Sequence, residues 1–321
     1  MDKFLERYSS AIEQAFGEYY RRHTSPEHLY QPVHYILSLG GKRLRPALVL
    51  LAADSFGCPL EKAMPAAMAI EVFHNFSLVH DDIMDRAPLR RGHPTVHCRW
   101  DANTAILSGD VMMIQAYELF ESYQGDTFRE VILAFNRVAR QVCEGQQLDM
   151  DYEKIGDVSQ AQYMEMIRLK TAVLIGGALR IGGIVAGAPA RELEALEGFG
   201  TDVGLAFQLT DDYLDTFGDP RTFGKRIGGD ILEGKKTFLY ITARERASQE
   251  EFERAFSLTN EEEKIEAVRD LYRTTGADQT LREQIDRYTE KALAHVDRLP
   301  FSQPYREHYI RLARALVQRK L

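Results

Sequence analysis

Two aspartate clusters of identical spacing interrupt apolar, helical stretches of this 321-residue chain, as HDDIMD at 80–85 and TDDYLD at 210–215. In the first cluster Asp81 and Asp85 are four residues apart, so on a helix they share one face, and the second cluster repeats the spacing. Carboxylates crowded into apolar surroundings repel one another and resist desolvation. A hard divalent cation such as Mg²⁺ neutralises them, so the pattern predicts metal binding.

Further polar side chains extend each acidic face. His74 lies two helical turns before Asp81, and Gln208 lies three residues before Asp211. At these spacings each side chain joins the face of its cluster. Two such faces suit several Mg²⁺ ions that clamp a diphosphate between them. The alternative is that each stripe is merely a solvated helix face, but the repeated spacing with apolar flanks favours metal binding.

Basic motifs recur near both clusters in the sequence. The motif GGKRLRP at 40–46 places a glycine pair before three cations, Arg90 and Arg91 follow the first cluster, and GKRIGGDILEGKK at 224–236 follows the second. Arginine grips phosphate oxygens with a fork of donors, and lysine acts as a point charge. Each motif alone also matches ordinary surface cations. Together they predict a phosphate site over which the 224–236 loop closes.

Apolar residues recur with helical periodicity along the chain, and alternating strand patterns are scarce. Breaks fall at short loops rich in glycine or proline, without a long linker. We therefore predict one all-α domain over residues 1–321, a multi-helix bundle around a common core. Thr259 and Glu262 have capping-box spacing and predict a helix start at Thr259. The other predicted helices cover 1–20, 43–53, 61–79, 104–120, 128–150, 161–177, 192–215 and 303–321.

Charge and hydropathy narrow the possible partners. The net charge of −8 and the sequence pI of about 5.7 argue against a general nucleic-acid binder. The most apolar stretch, 171–190, contains Arg180 and many small residues, which indicates a packed core helix and no stable membrane insertion. The N-terminus lacks signal-peptide features, and the three cysteines have no metal-ligand spacing. We therefore expect a reduced, cytoplasmic setting.

Taken together, these motifs resemble those of the trans-isoprenyl diphosphate synthases, also called polyprenyl synthetases. The resemblance covers residues 38 to about 240, and the motifs occur in the order of the family. It implies an all-α homodimer with a deep central cavity in each subunit. It also implies an enzyme that joins isopentenyl diphosphate to allylic diphosphates (dimethylallyl, geranyl or farnesyl). The motifs are GGKRLRP, EVFHNFSLVHDDIMD, RRGHPTVH, GQQLD, KTAVL, FQLTDDYLD and GKRIGGDILEGKKT.

The resemblance also implies a role for individual residues. Its metal would be Mg²⁺, on the order of three ions per active site, with Mn²⁺ as a substitute. The implied Mg²⁺ ligands are Asp81, Asp85 and Asp211, with Asp215 also at the metal and Asp82 in support. The implied contacts to the allylic diphosphate are Arg90, Lys170, Thr171, Gln208, Lys225 and Lys235.

For isopentenyl diphosphate, the resemblance implies contacts from Lys42, Arg45, His74 and Arg91. Gln146 and Asp149 match further active-site positions of the family. On their own, Gln146 and Asp149 are only a polar pair three residues apart, which an exposed turn would also show.

Product length in the family depends on the residues just before the first cluster. Phe76 and Ser77 stand five and four residues before Asp81, and the cluster has no insertion. In the family, this combination resembles short-chain synthases that make the C20 product geranylgeranyl diphosphate. Phe76 would form the floor under the growing chain. The alternative product is the C15 farnesyl diphosphate.

Three other protein classes share part of this pattern. A metal-dependent phosphohydrolase would use His80 with Asp81, but it needs further histidines at the metal, and the second cluster has Thr210 instead. A terpene cyclase has one aspartate-rich helix but a different second metal motif. A non-catalytic synthase subunit would have lost a metal ligand or a phosphate cation, and none is missing from this sequence.

Overall fold

The computed structural model describes residues 3–19, 23–219 and 227–317. Almost all of this part of the chain is helical, apart from turns, loops and one very short hairpin. The prediction of an all-α fold is therefore confirmed. Lys225 and the end of the chain after residue 317 lie outside the described residues, so the role of Lys225 stays a prediction.

Contacts between Cα atoms divide the chain into two compact units. The first unit contains residues up to 139 together with 177–197, and the second contains 140–176 together with residues from 198 onward. All three borders fall within helices. That residues 1–321 form a single domain stays a prediction.

The first unit is built around one long, buried helix. Its elements are α1 (Lys3–Tyr19), α2 (Glu27–Ser38), α3 (Leu44–Ser55), α4 (Leu60–Met84), β1 (Leu89–Arg90), β2 (His93–Pro94), α5 (Val96–Arg99), α6 (Ala102–Phe120) and the start of α7 (Gly125–Lys154). Helix α4 is rich in alanine and packs against α3 and α6. The packing against α6 is close, because a Cβ atom on Gly109 would lie 2.2 Å from Nε2 of His80. Helices predicted over 43–53, 61–79 and 104–120 are thus confirmed, with small shifts at their ends.

The second unit carries the second acidic cluster on a long helix. Its elements include the end of α7, α8 (Gln160–Ile167), a π-helical turn (Arg168–Ala172), the start of α9 (Val173–Ala186), most of α10 (Ala190–Phe217), α11 (Gly229–Glu233), α12 (Phe238–Arg246), α13 (Gln249–Phe256), α14 (Glu261–Thr274), α15 (Ala277–Val296) and α16 (Gln303–Val317). An apolar core of side chains from α8, α10 and α12 to α16 holds this unit together.

Two local predictions in the second unit need correction. The capping box predicted from Thr259 is wrong by one residue, because the side chain of Asn260 accepts hydrogen bonds from the backbone of Glu262 and Glu263. The helix predicted over 161–177 is interrupted by the π-helical turn. Gly145 of α7 approaches that turn closely, because a Cβ atom there would lie 2.2 Å from the backbone nitrogen of Lys170.

One helical stretch, Gln160–Ala186, has the length and apolar composition of a membrane span. Within its most apolar window, 78% of the residues are buried inside the protein. The core helix of a folded protein has this character, as the sequence predicted for this stretch.

Candidate active site

The first acidic cluster ends α4 and presents two carboxylates on one side. Asp81 is half-buried on the last turn, and Asp85 is the exposed C-cap, whose backbone N–H donates to the carbonyl of Asp81. Asp82 lies about a quarter turn further round the helix and is only 1% exposed. The three aspartates therefore divide into an accessible pair and one buried carboxylate.

The buried carboxylate of Asp82 holds Arg90. Its Oδ1 accepts hydrogen bonds from Nε of Arg90 at 3.0 Å and from Nη2 at 2.5 Å. Its Oδ2 is also buried and has no hydrogen-bond partner among the described residues. Burial raises the pKa of Asp82, and the bond from Arg90 opposes that rise. Arg90 also approaches Asp81 to 3.7 Å, so its guanidinium is fixed beside the accessible pair.

Arg91 occupies the turn of the β1–β2 hairpin in a conformation that a side chain rarely adopts. Its φ is 54° and that of Gly92 is 78°, as a two-residue type I′ turn requires. Left-handed backbone costs free energy at a non-glycine residue, and the guanidinium of Arg91 is held by a hydrogen bond to the carbonyl of Gly40. A Cβ atom on Gly41 would lie 3.0 Å from that guanidinium. The glycine pair of GGKRLRP thus makes room for Arg91.

Arg45 and His74 form a half-buried basic pair in the first unit. Nη1 of Arg45 lies 3.1 Å from Nε2 of His74. Burial lowers the pKa of His74 well below its usual value, and the charges of Arg45 and Arg91 lower it further. His74 is therefore neutral, and Nε2 accepts the hydrogen bond because arginine can only donate. Nε of Arg45 is buried and has no hydrogen-bond partner in the described part of the chain.

Arg43 departs from the sequence-based interpretation of GGKRLRP as three phosphate-binding cations. Its guanidinium is buried and donates to Glu71 at 2.8 Å, to Glu13 at 2.7 Å and to the carbonyl of Leu37 at 2.5 Å. This arginine joins α1, α2 and α4 and is part of the structure of the unit. Lys42, one residue earlier, is exposed.

The two predicted chain-length residues lie on α4, about one turn before the first cluster. The ring of Phe76 contacts the ring of His80 at 4.8 Å and that of Phe73 at 5.6 Å between centroids. The hydroxyl of Ser77 donates to the carbonyl of His74. Phe76 thus continues an aromatic cluster that includes Phe135.

The second acidic cluster repeats the division seen in the first. Asp211 and Asp215 are half-buried on α10, whereas Asp212 is 5% exposed. Asp212 accepts a short hydrogen bond from the hydroxyl of Tyr163, and Nε2 of Gln208 donates to it at 3.1 Å. Burial raises the pKa of Asp212 to about 8, and the charge of Asp230 adds to the rise. The middle aspartate of each cluster thus binds protein groups.

A chain of hydrogen bonds links Asp212 to the predicted substrate contacts. Oε1 of Gln208 accepts from the hydroxyl of Thr171 at 3.1 Å, while the amide nitrogen of Gln208 is used by Asp212. Lys170, on the same π-helical turn as Thr171, pairs with Asp149. Such turns are frequent at functional sites. Gln146 is half-buried, and its Nε2 has no hydrogen-bond partner within the described ranges.

The two lysines of EGKKT have different partners. Lys235 pairs with Glu233 at 2.9 Å and approaches Asp230 to 3.6 Å. Lys236 donates to backbone carbonyls at the end of α7, among them Tyr152 at 2.7 Å. The backbone N–H of Asp230 donates to Oδ1 of Asp215 at 3.0 Å. Lys236 therefore anchors this segment, and Lys235 is the more accessible cation.

Sequence reasoning missed Asp212, Tyr163, Asp230 and Lys236. The register of the helix was a sufficient signal for Asp212, because the residue after Asp211 must leave the shared face. Nothing in the sequence near Tyr163 pointed to Asp212, 49 residues away.

The Polyprenyl synthetase family profile matches residues 26–275, which is most of the chain. The chain belongs to the polyprenyl synthetase family. It is similar to a crystal structure of a geranylgeranyl pyrophosphate synthase, with 46% identity, a TM-score of 0.92 and coverage of 98% of this chain and 99% of the other. The geranylgeranyl diphosphate synthase of Methanosarcina mazei is 42% identical over 70% of this chain and 69% of its own length.

A third similar polyprenyl synthetase relative is a geranylgeranyl pyrophosphate synthase from Corynebacterium glutamicum, described as complexed with isoprenyl diphosphate and magnesium. It is 28% identical, with a TM-score of 0.82 and coverage of 98% of this chain and 96% of the other. As a member of the family, this polyprenyl synthetase is a prenyltransferase.

The two acidic clusters of this polyprenyl synthetase offer carboxylate oxygens, which are the type of ligand atom that Mg²⁺ prefers. Among the described residues, no three carboxylate, imidazole or thiol side chains already converge on one point. Mg²⁺ needs only one or two carboxylates, because water and phosphate oxygens complete its octahedron. Asp81 and Asp85 offer such oxygens on one side of α4, while Asp82 keeps Arg90 in place.

Proposed function

We propose that this prenyltransferase condenses isopentenyl diphosphate with allylic diphosphates and makes geranylgeranyl diphosphate as its main product. The observation that carries the proposal is the half-buried pair of the Arg45 guanidinium with an uncharged His74 imidazole, together with Arg91, all held within the first unit. Nε of Arg45 is a buried donor without a partner in the described part of the chain, and a diphosphate oxygen would satisfy it. Relatives named geranylgeranyl diphosphate synthase support the product.

Each diphosphate then has its own set of side chains. For the allylic diphosphate the set is Arg90, Lys170, Thr171, Gln208, Lys225 and Lys235. For isopentenyl diphosphate it is Lys42, Arg45, His74 and Arg91. Arginines held by Asp82 and by the carbonyl of Gly40 are preorganised, so little side-chain entropy is lost on binding.

The two aspartate clusters supply the metal ligands, Asp81 and Asp85 in the first, Asp211 and Asp215 in the second. Mg²⁺ bound there would stabilise the negative charge that grows on the departing diphosphate. The Corynebacterium relative described as a complex with magnesium supports this choice of metal.

The reaction needs bond breaking, bond formation and loss of one proton. The carbon–oxygen bond of the allylic diphosphate breaks, and the electron pair leaves with the diphosphate. The double bond of isopentenyl diphosphate attacks the allylic carbon, and the departed diphosphate accepts the proton that is then lost. Thr171 and Gln208, which we assign to the allylic diphosphate, are fixed by a hydrogen-bond chain that runs through Asp212 to Tyr163. Such fixed dipoles stabilise developing charge without reorganisation.

Product length is proposed to depend on Phe76. Its ring packs between the rings of His80 and Phe73 on one side of α4. We expect Phe76→Ala to remove this floor and to shift the products towards chains longer than C20. Products are sized by chromatography after dephosphorylation, with Ser77→Ala as the control, because it keeps a small side chain at the second chain-length position. An unchanged product distribution would contradict the floor.

A homodimer is the proposed assembly, and the surface of the first unit supports it. Leu107 and Ile114 lie seven residues apart on α6 and are 58% and 57% exposed, and Leu133 on α7 is 57% exposed. Exposed apolar side chains at helical spacing mark interaction surfaces. We expect Leu107→Asp with Ile114→Asp to convert a dimer into a monomer in light scattering, while Leu89→Asp, an equally exposed leucine on the hairpin, leaves the mass unchanged.

The direct test supplies labelled isopentenyl diphosphate, Mg²⁺ and each allylic primer in turn, and sizes the products. Geranylgeranyl diphosphate as the main product supports the proposal, and farnesyl diphosphate would correct the product length. Release of phosphate without chain growth would indicate a phosphohydrolase. A cyclic hydrocarbon would indicate a terpene cyclase, and no turnover with any primer would indicate a non-catalytic subunit.

A further inference from the structure

The hairpin that carries Arg90 and Arg91 has little structure of its own. Each strand has two residues, and the pairing consists of Leu89 with Pro94 and Arg90 with His93. A two-stranded hairpin is marginally stable in water even when longer. Its turn also places Arg91 in the left-handed region. The position of its arginines therefore depends on contacts made with other elements.

Among the described residues, side chains at three points of the first unit hold or are held by the hairpin through hydrogen bonds. Arg90, on β1, is bound by Asp82 of α4. Arg91, in the turn, donates to the carbonyl of Gly40. At the far end of β2, the hydroxyl of Tyr35 donates to the carbonyl of Pro94 at 2.7 Å. The last two contacts come from one short stretch of chain, residues 35–40, at the end of α2.

We propose that Tyr35 is a positioning residue, which holds the β1–β2 hairpin so that Arg91 meets isopentenyl diphosphate. The inference rests on the proposed function, in which Arg91 contacts that substrate. Without the Tyr35 hydroxyl, β2 loses its hydrogen bond to α2, while Thr95 still closes the base of the hairpin by donating to the carbonyls of Ala87 and Pro88. Arg91 then keeps its strained turn with one contact fewer to the end of α2. Arg90 keeps its bonds to Asp82, so the contact to the allylic diphosphate is preserved.

The aromatic ring of Tyr35 contacts a tryptophan whose fluorescence can be measured. It lies edge-on to Trp100, with 5.3 Å between ring centroids. The guanidinium of Arg99 stands over both rings, at 4.3 Å from that of Tyr35 and 4.9 Å from that of Trp100. Trp100 is the only tryptophan in the sequence. Its fluorescence therefore reports on the place where the hairpin is tethered.

The test titrates isopentenyl diphosphate into the full-length protein and follows the emission of Trp100. Tyr35→Phe removes the hydroxyl and keeps the ring. One neutral hydrogen bond corresponds to a change of about three- to tenfold in binding. We expect the Kd and the KM for isopentenyl diphosphate to rise by that factor, with kcat and the KM for the allylic substrate unchanged.

Tyr8→Phe is the matched control. This variant also deletes one phenolic hydroxyl from the first unit. The Tyr8 hydroxyl donates to Asp54 at 2.7 Å, the same length as the hydrogen bond of Tyr35. A general loss of stability would affect both variants, whereas a positioning role raises the KM only in Tyr35→Phe. Equal titrations for the two variants would overturn the proposal.

A double-mutant cycle with Arg91→Ala separates this inference from the function on which it rests. If Tyr35 acts through the turn, Tyr35→Phe has no further effect on binding once Arg91 is removed. Independent, multiplicative effects would contradict the proposal. If Arg91→Ala leaves the KM for isopentenyl diphosphate unchanged, the assigned role of Arg91 fails, and the inference falls with it.

Discussion

Replacing Arg43 with methionine tests whether this cation of the GGKRLRP motif stabilises the fold, in contrast to the neighbouring cation that we assign to substrate binding. The side chain of Arg43 is 1% exposed and that of its partner Glu71 is 3% exposed. Arg43→Met keeps an unbranched side chain but leaves Glu71 as a buried carboxylate without its cation. Burial lowers the pKa of Arg43, but Glu13 and Glu71 raise it by more, so the two carboxylates stabilise the charged form of the guanidinium.

The expected magnitude follows from this geometry. Breaking a buried ion pair by removal of one partner costs about 3–5 kcal/mol. Glu13 is 54% exposed and returns to water, so it adds little. Unfolding entropy is roughly 2.1 cal/mol/K per residue, so this chain of 321 residues gains about 0.7 kcal/mol/K. The melting temperature should therefore fall by about 4–7 °C.

Lys42→Met is the matched control, because it makes the same replacement at the exposed neighbouring cation. We expect its unfolding free energy to change by about 0.5 kcal/mol or less, while its KM for isopentenyl diphosphate rises. Urea unfolding and steady-state kinetics measure the two effects. The double variant Arg43→Met with Glu71→Leu should recover part of the lost stability, because the stranded charge is gone. Equal stability of the two single variants would refute the structural role of Arg43.

Two further predictions concern buried polar groups. Burial raises the pKa of Asp212 to about 8 from 3.8, so between these pH values the folded chain holds a proton that the unfolded chain releases. The unfolding free energy of metal-free protein should therefore fall as the pH rises between about 4 and about 8. Urea unfolding in chelator should show a flatter dependence for Asp212→Asn, and an unaltered slope would contradict the assignment. Both amide atoms of Gln115 are buried without a partner in the described ranges, so Gln115→Leu should raise the unfolding free energy by about 1–3 kcal/mol. A loss of stability instead would mean that the amide binds a buried water.

Helical periodicity was sufficient to predict most of the fold, because each helix buries a recognisable apolar face. It did not predict the π-helical turn at Lys170, where the contact with Gly145 joins residues of two different helices. The hairpin was predicted only as a break, since its two-residue strands are too short to show an alternating pattern.

The candidate site was predictable wherever its residues form local motifs. Asp81 and Asp85 are found from spacing alone, but the roles of Arg43 and Asp212 depend on distant partners. In GGKRLRP, composition cannot distinguish a cation that meets Glu71 from one that lies beside His74. Likewise, the contact of Asp212 with Tyr163 joins two helices that no sequence pattern links.

If the two aspartate clusters hold Mg²⁺ for the reaction, turnover depends on the metal and on both clusters. Product formation is measured against Mg²⁺ concentration for the natural chain, Asp81→Asn, Asp211→Asn and the control Asp101→Asn, which lies outside the clusters and still caps α6. We expect no product in chelator and normal behaviour of the control. For each cluster variant we expect a higher Mg²⁺ requirement and a loss of kcat of about a hundredfold or more. Cluster variants that match Asp101→Asn, or full turnover in chelator, would contradict a metal site at the two clusters.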